Sequence, residues 1–287
     1  MAHARDANGL TVPKTVDAVV IPLDGSELSL GAVPVGCALA GRMDAQIHLV
    51  STVETVDEVP GREADLTAIP IPDREVHRHV VVDRDPAGEI HETVRRLAPA
   101  VVCMATHGRG RSAALVGSVA TDVVGRGRDP VVMVGPFVDP EHKGQGVVAC
   151  VDETLDAAVT LASIASGWAA LVQEPLRVIT VAEPVPPPVR AGAAIQRRFG
   201  VDGDLEAYLL AVIEQLGAED IEVEAHPVYD PIGPAAGVNE HLEEHPAFLG
   251  VVMSRGVTGL ARLVFGSVAG AIVFHSRSPV LVVPRPD

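Results

Sequence analysis

Aromatic residues are scarce in this chain of 287 residues. Phe, Trp and Tyr make up 3% of it, although hydrophobic residues make up 47%. Valine, alanine, leucine and isoleucine must therefore pack its interior, and residues of this kind form the continuous apolar runs of buried parallel strands. Because the chain is about twice as long as a typical domain, it has room for two hydrophobic cores.

Basic residues are also in short supply. The sequence has 22 Lys and Arg against 38 Asp and Glu, which gives a formal net charge of -16. General binding to nucleic acids requires a surplus of positive charge to neutralise the phosphates. We therefore expect no nucleic-acid partner.

Cysteines are few, and long apolar runs are missing. The spacing of Cys37, Cys103 and Cys150 matches neither a disulfide framework nor a metal site, so we interpret them as small buried apolar residues. The first fifteen residues are polar, and no apolar run reaches the roughly 18 residues that span a bilayer. These absences favour a cytoplasmic protein with no membrane partner.

An internal repeat runs through the chain. The segment Val116–Ala120 recurs as Phe265–Ala269 with an offset of 149 residues, and both contain Gly-Ser-Val-Ala. Preserved order with a growing offset indicates a duplication, with insertions in the second copy. Three further pairs, with offsets of 149, 145 and 128 residues, are Pro130–Val134 with Pro279–Val283, Asp85-Pro86 with Asp230-Pro231, and Asp24 with Asp152.

Each copy alternates short apolar runs with helix-like segments. Such alternation predicts right-handed βαβ crossovers and a parallel sheet covered on both faces. The predicted fold class is α/β, with two tandem open five-stranded parallel sheets. The predicted strands are Ala18–Leu23, Ile47–Val53, Val76–Val82, Val101–Ala105, Val131–Val134, Val147–Val151, Arg177–Ala182, Ile221–Val228, Leu249–Met253 and Val280–Val283. Helices are predicted near Leu28–Ala40, Ala87–Leu97, Gly117–Gly125, Leu155–Leu171, Leu205–Leu216, Gly233–Glu243 and Ser267–His275.

The repeat also predicts the domain organisation. Residues 1–15 form a flexible tail, residues 16–136 the first domain and residues 146–287 the second. The segment between them, residues 137–145, contains Pro, Gly and charged residues and is predicted to be the linker. Asp85 and Asp230 are each expected to cap a helix whose first residue is the following proline.

Candidate functional residues follow from the predicted topology. Ligands of open parallel sheets bind beyond the carboxyl ends of the strands, near the point where the strand order reverses. The candidates of the first copy fall into three groups. One follows strand one and consists of Asp24, Gly25 and Ser26. The second lies at the end of strand four and in the Gly-rich basic loop after it (Ala105, His107, Gly108, Arg109 and Arg111), and the third begins the next helix (Gly117, Ser118 and Val119).

These residue types suit a phosphate-bearing ligand. Backbone N–H groups of a Gly-rich loop and of a helix N-terminus make an anion site, and Arg109 and Arg111 add positive charge. Asp24 is suited to accept a hydrogen bond from an adenine amino group or a ribose hydroxyl. The sequence therefore predicts a nucleotide site in the first copy.

This arrangement resembles the universal stress protein family. ATP-binding members of that family carry Gly-x-x-Gly, nine residues and then Gly-Ser or Gly-Thr after strand four, and the resemblance covers both copies. It implies a Rossmann-like, adenine-nucleotide α-hydrolase-like fold and a stress-response regulator that binds ATP, with or without Mg²⁺. It also implies that the loop and the Gly-Ser step hold the phosphates while Asp24 lies beside the adenine. Because family members often dimerise through the last strand, we expect an internal pseudo-dimer of the two copies; a further homodimer stays open.

Both copies depart from that motif. Ala105 stands where the first motif glycine is expected, and only eight residues separate Gly108 from Gly117. The second copy keeps the spacing of nine, but Met253 stands at the first glycine. A methionine side chain obstructs the approach of a ligand more than an alanine does. We therefore rank the first site above the second.

The second site is predicted from residues that correspond to the first. Glu153 is unfavourable there, because it would place a negative charge close to a bound phosphate. The candidate residues of this site are Asp152, Gly256, Gly266 and Ser267, and it also keeps two basic residues, Arg255 and Arg262.

Simpler interpretations stay open for the candidate residues. An aspartate after a strand often caps the next helix, and a glycine at a helix start allows the helix to pack closely on the sheet. Arginines on a loop are often solvated. These alternatives apply to Asp24, Asp152, Gly117, Gly266, Arg109 and Arg111.

No residue is assigned to catalysis or to a metal. His107 has no carboxylate or nucleophile near it in the sequence, and the pair His241 and His245 lacks a third ligand. Walker and nucleophile-elbow motifs are also missing. Three functions stay open: an ATP-binding regulator, a nucleotide-free interaction protein and a slow ATPase.

Overall fold

The structure, a computed structural model, describes residues 14–71, 74–106, 117–127, 129–152, 154–182, 205–217, 221–254 and 265–285. Each predicted strand is present, and its ends lie within two residues of the prediction. The strands are β1 (Ala18–Pro22), β2 (Gln46–Val53), β3 (Val76–Val82), β4 (Ala100–Ala105), β5 (Val131–Val134), β6 (Val147–Cys150), β7 (Leu176–Ala182), β8 (Val223–Tyr229), β9 (Leu249–Met253) and β10 (Val280–Val283).

Helices cover both faces of the sheet. The buried residues of α2, α3, α6 and α7 pack on one face, and those of α4, α5, α8 and α9 pack on the other. The helices are α1 (Glu27–Leu30), α2 (Ala32–Met43), α3 (Val59–Ala68), α4 (Pro86–Leu97), α5 (Ser118–Arg126), α6 (Leu155–Val172), α7 (Leu205–Leu216), α8 (Pro234–Glu244) and α9 (Ser267–His275).

Two helices of the first half differ from the prediction. The single helix predicted near Leu28–Ala40 is divided at Gly31 into α1 and α2. The sequence does not predict α3, which follows a short 3-10 turn at Val56–Glu58. Leu66 is its one buried residue, so α3 lacks the apolar stripe by which an amphipathic helix is recognised.

The strands form one sheet of ten in the order β3-β2-β1-β4-β5-β10-β9-β6-β7-β8. All strand pairs within each half are parallel, as predicted. The α/β fold class is thus confirmed. The two sheets are nevertheless continuous with each other, because β5 pairs with β10 in the antiparallel direction, with Leu281 opposite Val132.

Contacts beyond the sheet also join the halves. Helix α2 packs on α6. Arg42, in the last turn of α2, forms an ion pair of 2.5 Å with Glu174 of the second half, and its guanidinium lies 5.3 Å from the ring centroid of Phe248. The Glu174 side chain is 8% exposed, so this ion pair is partly shielded from water. The two copies therefore pack as the internal pair that the family resemblance implies.

The core is built mainly from aliphatic side chains of both halves. Its largest buried side chains, Trp168 on α6 and Tyr208 on α7, both belong to the second half. Of the three cysteines only Cys103 is fully buried; Cys37 and Cys150 are half-buried, contrary to the prediction. Both pack against buried apolar residues, Cys37 on one face of the sheet and Cys150 on the other.

Helix α6 is the one helix within the described ranges that is long and apolar enough to cross a membrane by length and composition, with a mean hydropathy of 1.6. In the structure α6 packs on β6, β7 and β9, and its buried residues include Leu161 and Trp168. Its apolar composition is therefore explained by its place in the core.

The segment between the two copies packs on the second half. The N–H of Gln145 donates to the carbonyl of Pro246 at 3.0 Å, and His142 Nε2 lies 2.6 Å from the carbonyl oxygen of Ala247. A Cβ placed on Gly144 would overlap the carbonyl group of Ala247. This segment is held by hydrogen bonds and close packing.

The two Asp-Pro pairs behave differently. Asp85 caps α4 by accepting from the N–H of Gly88 at 3.2 Å, and Pro86 begins that helix, as predicted. Asp230 does not cap a helix that begins at Pro231: α8 begins at Pro234. Its Oδ1 instead accepts from the N–H groups of Ile232 and Gly233, both at 2.7 Å, because the chain makes an additional turn before the helix.

Candidate functional site

The strand order creates one switch point in each half. Strand β1 lies between β2 and β4, and β6 lies between β7 and β9. In both halves the chain leaves the first strand towards one neighbour and later returns on the other side. The carboxyl ends of β1 and β4, and of β6 and β9, are therefore adjacent, and a crevice for a ligand forms there.

A hydrogen-bonded turn follows the first strand of each half. In the first, Asp24 Oδ1 accepts from the backbone N–H of Ser26 at 2.9 Å and from its hydroxyl at 2.6 Å. In the second, Asp152 Oδ1 accepts from the N–H and the hydroxyl of Thr154 at 3.0 and 2.9 Å. The N-cap residues are Ser26 and Thr154. Each aspartate thus orders the N-cap and is not itself the cap.

Gly25 has two reasons to be glycine. Its φ of +82° lies in the left-handed region. A Cβ at this position would also overlap the guanidinium of Arg62 and lie 2.8 Å from its Cζ. Arg62, half-buried on α3, therefore lies directly over the turn after β1. Sequence reasoning misses this residue because it does not predict α3; an arginine in the segment after strand two is the available signal.

In the first half the end of β4 is connected to the start of α5. The carbonyl of Thr106, which follows Ala105, accepts from the N–H of Gly117 at 2.7 Å. Gly117 is the N-cap of α5, with φ -61° and ψ 155°, a conformation open to any residue. Ala105 is half-buried at the end of β4. The strand end and the helix start are thus in direct contact, as the predicted site requires.

Helix α5 presents its first amides without a side-chain cap. No side chain of its N-cap accepts from them within the described residues. Ser118 is exposed and Val119 is half-buried. Uncapped N–H groups at a helix start are suited to bind an anion.

Several predicted residues lie outside the described ranges, so the structure does not place them. They are His107, Gly108, Arg109 and Arg111 of the first copy and Arg255, Gly256 and Arg262 of the second.

The second half contains a cavity at its switch point. It has a volume of about 570 Å³ and lies between the ends of β6 and β9 and the start of α9, a size typical of small-molecule pockets. Asp152 and Gly266 line it, whereas Ser267 is exposed and does not. Met253 also lines the cavity but leaves this volume open. The obstruction for which the second site is ranked below the first therefore does not close it.

Helix α9 begins at this cavity in the same way as α5. Gly266 is its N-cap, with φ -59° and ψ 157°, and makes no side-chain cap. Within the described backbone, no hydrogen bond joins the Gly266 N–H to the carbonyl of Ser254, the position that corresponds to Thr106. The N-terminus of α9 is therefore more open than that of α5.

Two further side chains at the cavity bear on its chemistry. Burial raises the pKa of the Cys150 thiol to about 12, so this thiol stays protonated and is not a nucleophile. Arg285, two residues beyond β10, also lines the cavity. Sequence reasoning misses it; its position directly after the last strand is the signal that could have found it. In the described part of the chain, no group of three His, Cys, Asp or Glu residues is arranged to hold a metal.

Comparisons with known proteins agree with this fold. A universal stress protein from Archaeoglobus fulgidus DSM 4304 has a TM-score of 0.62 at 21% identity, over 96% of this chain and 99% of that one. A functionally unknown protein from Pseudomonas aeruginosa PAO1 has a TM-score of 0.61 at 15% identity, over 96% and 94%. No curated protein matches the chain significantly. The family model described as "Universal stress protein family" matches residues 15–135 and 145–284, and the chain therefore belongs to that family, with two of its domains in tandem.

Proposed function

We propose that this protein binds an adenine nucleotide, ATP with or without Mg²⁺, and acts as a cytoplasmic stress-response regulator. The observation that carries the proposal is the cavity of the second half. It brings a carboxylate, an uncapped helix N-terminus and a guanidinium to one volume of about 570 Å³. A nucleotide needs this combination, since it has hydrogen-bond donors at one end and phosphates at the other.

Each group of the cavity suits a part of the nucleotide. Asp152 uses Oδ1 for its turn, and its second oxygen is suited to accept from an adenine amino group or a ribose hydroxyl. The amides at the start of α9 suit the phosphates, and Val181 and Ile272 supply apolar walls. Because Mg²⁺ is commonly bound through substrate phosphates and water, the ion would enter with the nucleotide.

The first half supports the same proposal through equivalent parts. Its Asp24 turn matches the Asp152 turn, and α5 begins without a cap as α9 does. The proposed ligand contacts from its basic loop are Gly108, Arg109 and Arg111. We retain the first half as a nucleotide site on these grounds.

A second candidate function applies to the first half. The Gly117 N–H already donates to Thr106, and Arg62 lies over Gly25. We infer that a nucleotide at this switch point would have to displace both contacts. If they stay in place, the first half is a nucleotide-free interaction module. Slow hydrolysis of ATP is a weaker alternative, because each strand-end carboxylate is engaged by its own turn.

Isothermal titration calorimetry with ATP and Mg²⁺ tests these functions. Gly117→Val and Gly266→Val form a matched pair, because both glycines have extended backbone angles that valine adopts. We expect binding by the wild-type protein and loss of the second-half site in Gly266→Val. An unchanged stoichiometry in Gly117→Val would identify the first half as nucleotide-free. The absence of heat at millimolar ATP would reject nucleotide binding altogether.

A further homodimer is a separate proposal. The strand through which family members often dimerise is already used inside the chain, where β5 pairs with β10. A second copy would therefore need another surface. Light scattering that shows a monomer at every concentration would exclude this homodimer.

A further inference from the structure

Arg285 reaches the second site through the last strand pair of the sheet. Strands β9 and β10 are parallel, and Val283 lies opposite Met253. The N–H of Ser254 donates to the carbonyl of Val283 at 2.8 Å. The residues that follow β10 therefore emerge at the same edge as Met253, and Arg285 lines the cavity there.

The charge of Arg285 is not neutralised within the described residues. No carboxylate among them lies within ion-pair distance of its guanidinium, whereas Arg277 of the same half pairs with Glu243 at 3.1 Å and Arg42 pairs with Glu174. In a chain with a net charge of -16, carboxylates are abundant. Arg285 is exposed, so its charge is solvated at the mouth of the cavity and is available to an anionic ligand.

A second positive element opens onto the same cavity. Gly266 and Val268, at the start of α9, line it together with Arg285. The N-terminus of a helix carries a partial positive charge, and an arginine forms charge-assisted hydrogen bonds with phosphate oxygens. The two elements lie on different parts of the chain but bound one volume.

We propose that Arg285 binds a phosphate group of the nucleotide in the second site, together with the N-terminus of α9, and makes this site select nucleotides over nucleosides. The inference rests on the proposed nucleotide-binding function. It assigns a positive charge at the second site to a residue outside the Gly-rich motif. The second site then recognises phosphate through an element that has no part in the family motif.

The test uses a probe that reports the second site alone. The chain has five methionines, and Met253 lines this cavity. In full-length protein labelled with [ε-¹³C]methionine, its methyl resonance is assigned with Met253→Leu and followed during titrations with ATP and with adenosine. The variants are Arg285→Ala and Arg285→Lys. Arg277→Ala is the matched control, because Arg277 is an arginine of the same half that pairs with Glu243 and does not line the cavity.

We expect Arg285→Ala to weaken ATP binding at Met253 about tenfold, the effect of losing a hydrogen bond between charged groups. Arg285→Lys weakens it about threefold, because lysine keeps the charge and loses the forked geometry. Adenosine binding stays unchanged in both, and Arg277→Ala binds ATP as the wild-type protein does. The ATP affinity of wild-type protein falls with added salt more steeply than that of Arg285→Ala.

Three outcomes would overturn the inference. Equal ATP affinities in wild-type protein and Arg285→Ala would remove the phosphate contact and leave nucleotide binding intact. Equal losses for ATP and adenosine would show a general effect on the cavity. No response of Met253 to ATP in wild-type protein would reject the second site itself, and calorimetry would then show whether the first half still binds nucleotide.

Discussion

The two halves share a backbone arrangement but surround it differently. Asp24 and Asp152 form the same turn after the first strand. Both α5 and α9 have a glycine as N-cap and therefore no side-chain cap. In the first half Arg62 lies over that turn. In the second half a cavity of about 570 Å³ opens, and Arg285 lines it. The turn and the helix start are common to both halves, whereas each arginine reaches the site of its own half from a different element, Arg62 from α3 and Arg285 from beyond β10.

The largest expected effect concerns whether the halves unfold together. Leu39→Ala removes a side chain that is 1% exposed in the first half, and we expect a loss of about 2–5 kcal/mol in the free energy of unfolding. Because the sheet is continuous through β5 and β10, the fluorescence of Trp168, the single tryptophan, should shift with the far-UV circular dichroism in urea.

The control for this experiment is Leu210→Ala, since Leu210 is 53% exposed on α7. It should change stability little. If Leu39→Ala shifts only the circular dichroism and leaves the Trp168 transition in place, the two halves unfold independently, as separate domains do.

The next effect is a pH dependence from histidines of both halves. In the first half His79, whose pKa is also lowered by burial and by Arg96 and His77, lies 3.1 Å from His48 and contributes with it. The pKa of His48 is lowered to about 4, mainly by burial and also by His77, His79 and Arg96. The pKa of His241 is lowered to about 4 by burial and by its charged neighbours. The unfolded state, with a pKa near 6.5, takes up protons first. Stability is therefore complete above about pH 6.5 and falls as the pH decreases towards 4.

We expect each histidine to contribute a loss of about 2 kcal/mol between pH 7 and pH 5. Urea unfolding at the two pH values measures it. His48→Leu and His241→Leu should each remove part of the loss, and their effects should add because they lie in different halves. A pH dependence that survives both substitutions would assign it to other groups.

The smallest effect tests the crowding of the first site. Gly25→Ala should cost roughly 1–2 kcal/mol in unfolding free energy, because alanine at φ +82° is strained and its Cβ meets Arg62. Gly61→Ala on α3, where a Cβ meets nothing within 4 Å, should be neutral or stabilising by about 0.5–1 kcal/mol. Thermal unfolding compares the two variants.

Adding Arg62→Ala to Gly25→Ala separates the steric contact with Arg62 from the strain of the positive φ at residue 25. It should relieve the steric part and leave the cost of the positive φ. If the double variant is no more stable than Gly25→Ala, Arg62 moves aside easily, and the first site is as accessible as the second.

The sequence predicts the strands of the sheet well because a local pattern marks each strand. Buried strands such as Val131–Val134 are short apolar runs between turn residues, and the repeat orders them into two copies. The break at Gly31 and the helix α3 are not predicted, since neither carries a strong apolar period. The pairing of β5 with β10 follows only from the family resemblance.

The sequence predicts only some residues of the candidate sites, and the reason is physical. Asp24 and Gly117 adjoin strand ends, so topology alone brings them together. Arg62 and Arg285 reach the sites from α3 and from beyond β10. The sequence shows these two arginines, but which site each of them reaches depends on packing and strand register over long range.

A crystal structure of the full-length protein with ATP and Mg²⁺ would show whether the second half binds a nucleotide. We predict a nucleotide in the second half, with its phosphates at the start of α9 and at Arg285 and its adenosine near Asp152. Two switch points without bound nucleotide at millimolar ATP would contradict the account.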